Sequence, residues 1–121
     1  MSELGLEEIK SIKAATTAEL EVFVHGALCV SESGLCLFSS FLGGKSANRG
    51  MCTQACRRYY AAEQRGGISE GYYFSPCDLE LVSEIPALEE AGVASFKIEG
   101  RMKSAEYVGT VVAAYRYVIN H

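Results

Sequence analysis

The chain has no long apolar run and no basic start of the kind that secreted proteins carry. Hydrophobic residues make up 49% of its 121 residues. Even so, no apolar stretch approaches the roughly 20 residues that a membrane-spanning helix needs. The opening residues, Met-Ser-Glu-Leu-Gly-Leu-Glu-Glu, are acidic, whereas a signal peptide begins with basic residues. We therefore expect a protein that crosses no membrane and works in the cytoplasm.

Two catalytic motifs are absent as well. No His-Glu-x-x-His zinc motif is present. A phosphate loop is excluded because the run Gly43–Ser46 resembles only its end, and the glycine required five positions before Gly44 is Ser39. His121 is terminal, which leaves His25 as the one credible imidazole. A lone histidine near a strand end is either a hydrogen-bonded structural residue or a base.

One stretch of the chain has few acidic residues, and another has no basic residues. The net charge is -4, so the chain as a whole is not a polycation that coats nucleic acid. Between Lys45 and Arg65 there are five bases and one acid, whereas Glu70–Glu90 carries six acids and no base. An anionic ligand is expected at the basic stretch. Its run Arg57–Tyr60 suits base stacking and phosphate binding, or equally a solvated turn that packs two tyrosines.

Cysteine is concentrated in one part of the sequence. Four of the five cysteines lie in the pattern Cys-x6-Cys-x15-Cys-x3-Cys, at positions 29, 36, 52 and 56. Cytoplasmic thiols stay reduced and five is an odd number, so a disulfide framework is disfavoured. Soft thiolates select zinc, copper(I) or iron–sulfur clusters, and the absence of a Cys-x2-Cys pair favours a cluster over zinc. Cys77 lies apart and is interpreted as a packed or spare thiol.

Charged side chains mark the end of a predicted strand. Alternation along the predicted strand over 93–100 and the residue after it places three charged side chains on one face: Lys97, Glu99 and Arg101. In a parallel α/β fold the carboxyl ends of strands face the active site, so these residues are candidates for ligand binding. An internal salt-bridge network is the competing interpretation. His25 and Glu21 lie on the polar face of the first predicted strand. They are candidates for the same active site at the carboxyl ends of the strands.

The order of predicted elements indicates an α/β fold with parallel strands. Apolar spacing and turn residues delimit each element. The elements are a helix over 4–15, a strand over 20–28, a glycine-rich loop over 26–67, a strand over 71–74, helical turns from about Cys77 to Gly92 with a restart at Pro86, a strand over 93–100, and a helix capped by Ser104.

Two long stretches of this sequence resemble peptidase family U32, the collagenase-like proteins. The first contains Phe-Val-His-Gly-Ala-Leu-Cys at 23–29, Ser-Gly-Leu-Cys-Leu at 33–37 and Ala-Asn-Arg-Gly-Met-Cys-Thr-Gln-Ala-Cys-Arg at 47–57. The second contains Ser-Phe-Lys-Ile-Glu-Gly-Arg-Met-Lys-Ser at 95–104. The resemblance covers nearly the whole chain. Glu32, Leu35 and Lys45 depart from the residues usual in the family, which bears on substrate preference more than on the cysteines.

The resemblance implies a partial TIM-like (β/α) barrel with a cysteine- and glycine-rich loop insertion. The chain would be the C-terminal part of that barrel, as one domain over 1–121. Its parts would be a helix and strand over 1–28, the cysteine-rich loop over 29–67 and βα units over 68–121. A closed barrel usually takes roughly 250 residues, so self-association or the missing barrel portion is expected to complete it.

The family also implies a cofactor and a reaction. Family members with iron–sulfur clusters act in hydroxylation of tRNA or rRNA bases, or in oxygen-independent hydroxylation of ubiquinone, which implies a 4Fe–4S cluster. Zinc stays the alternative metal on the cysteine pattern alone. Cys77 is a possible substitute for the fourth ligand, and Lys97, Glu99 and Arg101 would orient a small anionic co-substrate or the RNA base, with His25 beside them. The ligands implied are Cys29, Cys36, Cys52 and Cys56.

Two further functions stay open. The family name implies a peptidase, for which Cys29 and His25 are the conceivable nucleophile and base. The other alternative is an incomplete and inactive cluster-binding module, because an open half barrel leaves unpaired strand edges.

Overall fold

The computed structural model describes residues 4–121, which form two compact units. Residues 28–77 make up the cysteine unit, and residues 4–27 together with 78–121 make up the sheet unit. The elements, in chain order, are α1 Leu6–Ala15, β1 Glu21–Ala27, α2 Phe38–Gly43, β2 Tyr60–Gln64, β3 Gly67–Gly71, β4 Asp78–Glu80, α3 Ile85–Glu90, β5 Ser95–Ile98 and α4 Ala105–Asn120.

The sheet unit is built around β1. This strand pairs in parallel with β5 and antiparallel with β4, so the strand order is β4-β1-β5. Val24 of β1 and Ile85 of α3 are fully buried, which places the apolar parity of the strand against the helices. The core also contains Ile9, Leu88, Ala91, Val93 and Tyr115.

The predicted start and end of α3 and the predicted start of α4 are confirmed. Pro86 lies in the first turn of α3, and Gly92 follows that helix with a φ of +82°, a left-handed conformation that favours glycine. Ser104 caps α4, because its side-chain oxygen accepts a hydrogen bond from the backbone N–H of Tyr107 at 3.2 Å. Glu106 lies in the first turn, where the helix dipole favours an acid.

A β-strand replaces the helical start expected near Cys77. Asp78–Glu80 is β4, whose residues pair with His25, Gly26 and Ala27 of β1. A short 3-10 turn at Val82–Glu84 then leads into α3. Pairing with β1 therefore overrides the local helical pattern, as tertiary context often does.

The cysteine unit is more regular than the predicted loop. It contains α2, two 3-10 turns at Ala47–Arg49 and Ala55–Arg57, and an antiparallel hairpin of β2 and β3. The expected strand over 71–74 is wrong, because β3 ends at Gly71 and a turn follows. The sequence Arg65-Gly66 closes the hairpin, and positive φ angles at Gly66 and Gly67 fit such a tight turn.

The mixed α/β class is confirmed, with β1 and β5 forming the expected parallel pair. Within residues 4–121 the strands form one three-stranded sheet and one hairpin, and no closed barrel is made. None of the helices described is long and apolar enough to cross a bilayer.

Candidate functional site

All five cysteines lie in the cysteine unit and are present as thiols. Cys29 follows β1 and is exposed, and Cys36 precedes α2. Cys52 lies between the two 3-10 turns, and Cys56 lies inside the second one. Cys77 is exposed at the other end of the unit.

Side-chain hydrogen bonds fix the backbone around the clustered cysteines. Asn48 donates to the Cys36 carbonyl at 3.2 Å, and Arg57 donates to the Leu28 carbonyl, next to Cys29, at 3.1 Å. The backbone N–H of Gln54 donates to Cys52 Sγ at 3.3 Å. Gln54 itself has a φ of +52°, a strained conformation for a residue other than glycine. These contacts hold three of the cysteine segments in defined positions.

Ser39 is the buried polar centre of this segment. Ser39 is 2% exposed, and its hydroxyl oxygen accepts hydrogen bonds from the Thr53 backbone N–H and the Thr53 hydroxyl, both at 3.2 Å. The Ser39 hydroxyl proton is directed at Cys52 Sγ, 4.0 Å away. A buried hydroxyl with all its partners is costly to replace, so Ser39 links α2 to the Cys52 segment. The sequence alone did not indicate that Ser39 connects these two segments.

Two neighbouring cysteines act on the Cys56 thiol. Burial raises the pKa of the Cys56 thiol above its ordinary value, and charge on Cys29 and Cys52 raises that pKa further. Arg57 acts in the opposite direction. Three of the four predicted ligands are therefore near enough to interact electrostatically.

The donor set suits a soft metal or a cluster. Thiolates are the ligands of iron–sulfur clusters, and a backbone N–H directed at a cysteine sulfur is one of the contacts that tune such clusters. Among the residues described, 4–121, no three His, Cys, Asp or Glu side chains form a ready metal-holding group. Ligation by all four cysteines stays a prediction.

The charged residues after β5 are paired within the sheet unit. Lys97 Nζ lies 3.3 Å from a Glu21 carboxylate oxygen and 4.9 Å from the centre of the Phe23 ring. Arg101 donates through two nitrogens to one oxygen of Glu99, at 2.8 and 3.0 Å. The side chain of Glu99 is largely covered, whereas those of Lys97 and Glu21 are about half exposed. The salt-bridge interpretation therefore describes the contacts made here.

His25 lies apart from Glu21 and Phe23, contrary to the alternation of the predicted strand. The β1–β5 register shifts between Phe23 and His25, which marks a bulge. A bulge re-aims the side chains that follow it. The His25 ring consequently lies against α4, where its Nε2 is 2.9 Å from the Tyr107 hydroxyl and its Nδ1 is 3.4 Å from the Tyr115 hydroxyl.

The protons on these groups can be assigned from their partners. The Tyr115 hydroxyl has one proton, which it donates to the Val24 carbonyl at 2.7 Å. Its oxygen accepts from the Leu81 backbone N–H at 3.1 Å, so toward His25 it acts only as an acceptor. Neutral His25 therefore carries its proton on Nδ1, and Nε2 accepts from the Tyr107 hydroxyl.

Comparison with known proteins identifies the family. The model of peptidase family U32 matches residues 2–121. The chain belongs to peptidase family U32. The family resemblance that the sequence suggested is thereby confirmed, and no solved structure matches the chain.

Relatives of this U32 chain carry two kinds of name. It is 42% identical over 122 residues to the tRNA hydroxylation protein P1 of Bacillus subtilis, covering 93% of this chain and 29% of that protein. It is 46% identical over 121 residues to the 23S rRNA 5-hydroxycytidine C2501 synthase of Escherichia coli, covering 98% and 18%. A protein of Porphyromonas gingivalis named collagenase is 45% identical over 103 residues, covering 83% and 28%. The U32 chain thus spans less than a third of each of these three relatives.

One serine motif in the U32 chain has the wrong context for a nucleophile. Residues Gly67–Gly71 match the Gly-x-Ser-x-Gly spelling of a nucleophile elbow, which belongs at a strand-to-helix turn. Here the five residues are the whole of β3, and Ser69 pairs with Ala62 across the hairpin. The Ser69 hydroxyl bonds to that of Tyr73. An antiparallel strand offers no elbow, so this serine is not positioned for acyl transfer.

Tyr115 is a buried residue whose hydroxyl makes several hydrogen bonds, whereas the sequence pattern marked it only as an apolar position of the helix. Its hydroxyl joins α4 to Val24 and to Leu81, and no polar signal in the helix pattern marks it. Tyr115→Phe is expected to lower the free energy of unfolding by about 1–2 kcal/mol, because the Val24 carbonyl loses one of its hydrogen bonds. Urea denaturation measures this, with Tyr117→Phe, at an exposed position, as the matched control.

Alkaline pH tests the same residue. Burial raises the pKa of Tyr115 above its ordinary value near 10, and nearby Glu80 and Tyr107 raise it further. The unfolded chain therefore ionises first, so this stability is complete below about pH 10 and declines as pH rises toward the folded-state pKa. Tyr115→Phe should lose less stability between neutral and alkaline pH than the parent chain. An identical loss in both proteins would contradict this assignment.

Proposed function

We propose that this U32 chain carries a 4Fe–4S cluster and takes part in hydroxylating a base of tRNA or rRNA. The observation that carries the proposal is the cysteine segment, in which hydrogen bonds hold the backbone beside Cys29, Cys36 and Cys52, and Cys29 and Cys52 raise the pKa of the free Cys56 thiol. Relatives named for tRNA hydroxylation and for rRNA 5-hydroxycytidine synthesis support the reaction. A cytoplasmic location, where thiols stay reduced, belongs to the same proposal.

The four clustered cysteines are the proposed ligands. Cys29, Cys36, Cys52 and Cys56 hold the cluster, which supplies one-electron chemistry when bound. The N–H of Gln54 directed at Cys52 Sγ stabilises negative charge on that sulfur. Cys77 is the reserve candidate for the fourth position. Zinc, which thiolates also bind, is the alternative metal.

Lys97 is the proposed contact for a small anionic co-substrate. Its ion pair with Glu21 is about half exposed on both sides, so water screens the pair and an anionic ligand can compete with Glu21. Glu99 holds the guanidinium of Arg101 through two hydrogen bonds, which fixes the direction of that cation. In this proposal Glu99 and Arg101 orient the ligand, and His25 accepts a proton at Nε2, where Tyr107 now donates.

The reaction replaces a ring C–H of the base with C–OH. This change removes two electrons from the base, and the small anionic co-substrate supplies the oxygen atom and accepts those electrons. RNA approaches through the basic side chains of the cysteine unit, because lysine and arginine neutralise phosphates. These basic residues are Lys45, Arg49, Arg57, Arg58 and Arg65.

A larger TIM-like barrel is the proposed setting of the sheet unit, with this chain as its C-terminal part. Parallel pairing of β1 with β5 is the pairing that such barrels use. Within residues 4–121, β5 lies at the edge of the sheet, where another strand would pair. That strand comes from the rest of a longer protein or from a second copy.

RNA from cells tests the hydroxylation. Cells that carry this gene with Cys29→Ala and Cys52→Ala together should lose the hydroxylated uridine or cytidine that parent cells contain, as measured by mass spectrometry of digested tRNA and rRNA. Cells with Cys77→Ala should keep it. Hydroxylated bases at parental levels in the double variant would contradict the proposed function.

A peptidase is the second candidate, because relatives from Porphyromonas gingivalis are named collagenase. Cys29 and His25 are its proposed nucleophile and base. Cleavage of gelatin should then stop when Cys29→Ala and His25→Ala are combined, and cleavage that persists would rule this pair out. The third candidate, an inactive module, predicts that the isolated chain self-associates, and a stable monomer counts against it.

A further inference from the structure

Two exposed tyrosines stand side by side at the open end of the hairpin. Tyr60 pairs with Gly71, so one step outward brings Tyr59 opposite Tyr72. Their ring centres are 5.2 Å apart and the ring planes meet at 77°. Tyr59 is 56% exposed and Tyr72 is 61% exposed. Paired aromatic rings that face solvent offer stacking surface to a flat ligand.

The residues behind this pair hold it in place. The Tyr60 ring stacks on Phe38 with centres 6.0 Å apart, and Phe74 packs edge-on against both rings. The Tyr60 hydroxyl donates to the Ala55 carbonyl at 2.7 Å, beside Cys56. The hairpin is therefore fixed to α2 and to the 3-10 turn that carries a proposed cluster ligand. A surface held in this way loses little conformational freedom on binding.

Charge identifies the kind of ligand. Residues 28–77 contain five bases and three acids, a net charge of +2, whereas the rest of the chain contains six bases and twelve acids, a net charge of -6. Arg58, which is exposed, directly precedes Tyr59. A ligand with flat apolar faces and a negative backbone matches this combination. Single-stranded nucleic acid has both features, whereas a duplex keeps its bases stacked on one another.

We propose that Tyr59, Tyr72 and Arg58 form a stacking site for an unpaired base of single-stranded RNA, which rests on the proposed function in RNA hydroxylation. Either tyrosine ring stacks on the base, and Arg58 binds the adjacent phosphate. Cys56 lies three residues before Tyr59, a reach of about 10 Å at most. An RNA strand held here therefore passes close to the cysteine segment.

Binding of a labelled oligouridylate of about twelve nucleotides to the full chain tests this site. Tyr59→Leu and Tyr72→Leu should each weaken binding by about tenfold in fluorescence anisotropy, because each removes a stacking ring. Tyr59→Phe keeps the ring and should keep the affinity. Tyr117→Leu, at a position of α4 that is 65% exposed in the sheet unit, is the matched control and should bind as the parent does.

Arginine variants test the phosphate contact without altering the rings. Arg58→Gln should weaken binding and reduce the slope of log affinity against log salt by about 0.7, as loss of one phosphate contact does for a single strand. Arg116→Gln, also exposed on α4, should leave that slope unchanged. This pair decides the proposal if a leucine variant fails to fold, as judged by circular dichroism.

Several results would overturn the site. They are equal affinities for Tyr59→Leu and Tyr117→Leu, a loss in Tyr59→Phe as large as in Tyr59→Leu, or an Arg58→Gln salt slope equal to that of the parent. Loss of self-association in Tyr59→Leu with unchanged RNA affinity would show a protein contact instead. RNA binding needs no cluster and no reaction. If the leucine variants of Tyr59 and Tyr72 lose RNA affinity while hydroxylation survives in the cysteine variants, the stacking site stands and only the proposed function is refuted.

Discussion

Cys52→Ser is expected to reduce the iron and sulfide bound after anaerobic reconstitution by at least about tenfold. A serine hydroxyl is a hard oxygen donor that stays protonated at neutral pH, so it replaces a thiolate poorly as a ligand of iron. The change is small in volume, and the Gln54 N–H can donate to the new oxygen as it does to Cys52 Sγ. The fold should therefore persist while the cluster is lost, which visible absorbance and iron analysis measure together.

Cys77→Ser is the matched control for this variant. Cys77 is exposed and lies outside the clustered pattern, so its replacement should leave the iron content unchanged. Cys56→Ser completes the comparison, because Cys56 and Cys77 compete for the fourth ligand position. Retention of the cluster in Cys56→Ser and its loss in Cys77→Ser would show that the fourth ligand is assigned to the wrong cysteine.

Gly26→Ala is expected to lower the free energy of unfolding of the sheet unit by about 3 kcal/mol. Gly26 has a φ of +132°, where any side chain is strained. A Cβ atom at this position would lie 2.7 Å from Glu99 Cβ and 2.9 Å from the Glu99 carbonyl oxygen. Relief of that clash requires the backbone to move, which also displaces the Glu99–Arg101 pair. Thermal unfolding should show a midpoint lower by about 10 °C.

Gly109→Ala separates this effect from the general consequence of adding a methyl group. Gly109 lies inside α4, where a Cβ would meet nothing within 4 Å. Alanine is the better helix former, so Gly109→Ala should stabilise the protein by about 0.5–1 kcal/mol. Equal unfolding midpoints for the two alanine variants would contradict the close approach of β1 to Glu99.

Local signals predicted those parts of the fold that depend on local chemistry. Ser104 and Gly92 mark helix ends because capping is decided by a few neighbouring residues, and both lie where the sequence indicates. The central strand β1 and its parallel partner β5 were predicted from apolar runs. The cysteines were recognised as a group because their spacing is unusual, although spacing alone does not define the geometry of a site.

Contacts between distant segments account for what sequence reasoning missed. The bulge in β1 turns His25 toward α4, and only pairing with β5 reveals it. The strand β4 forms because β1 provides an edge for it, against its local helical pattern. The polar role of Tyr115 depends on the Val24 carbonyl, which lies 91 positions away in the chain.

Anaerobic reconstitution of the full chain with iron and sulfide is the most direct test of the central claim, that the cysteine unit holds a 4Fe–4S cluster. The account predicts a brown protein that absorbs at about 400 nm and contains about four iron and four sulfide per chain. A colourless protein that binds stoichiometric zinc, or no metal at all, under the same conditions would contradict it.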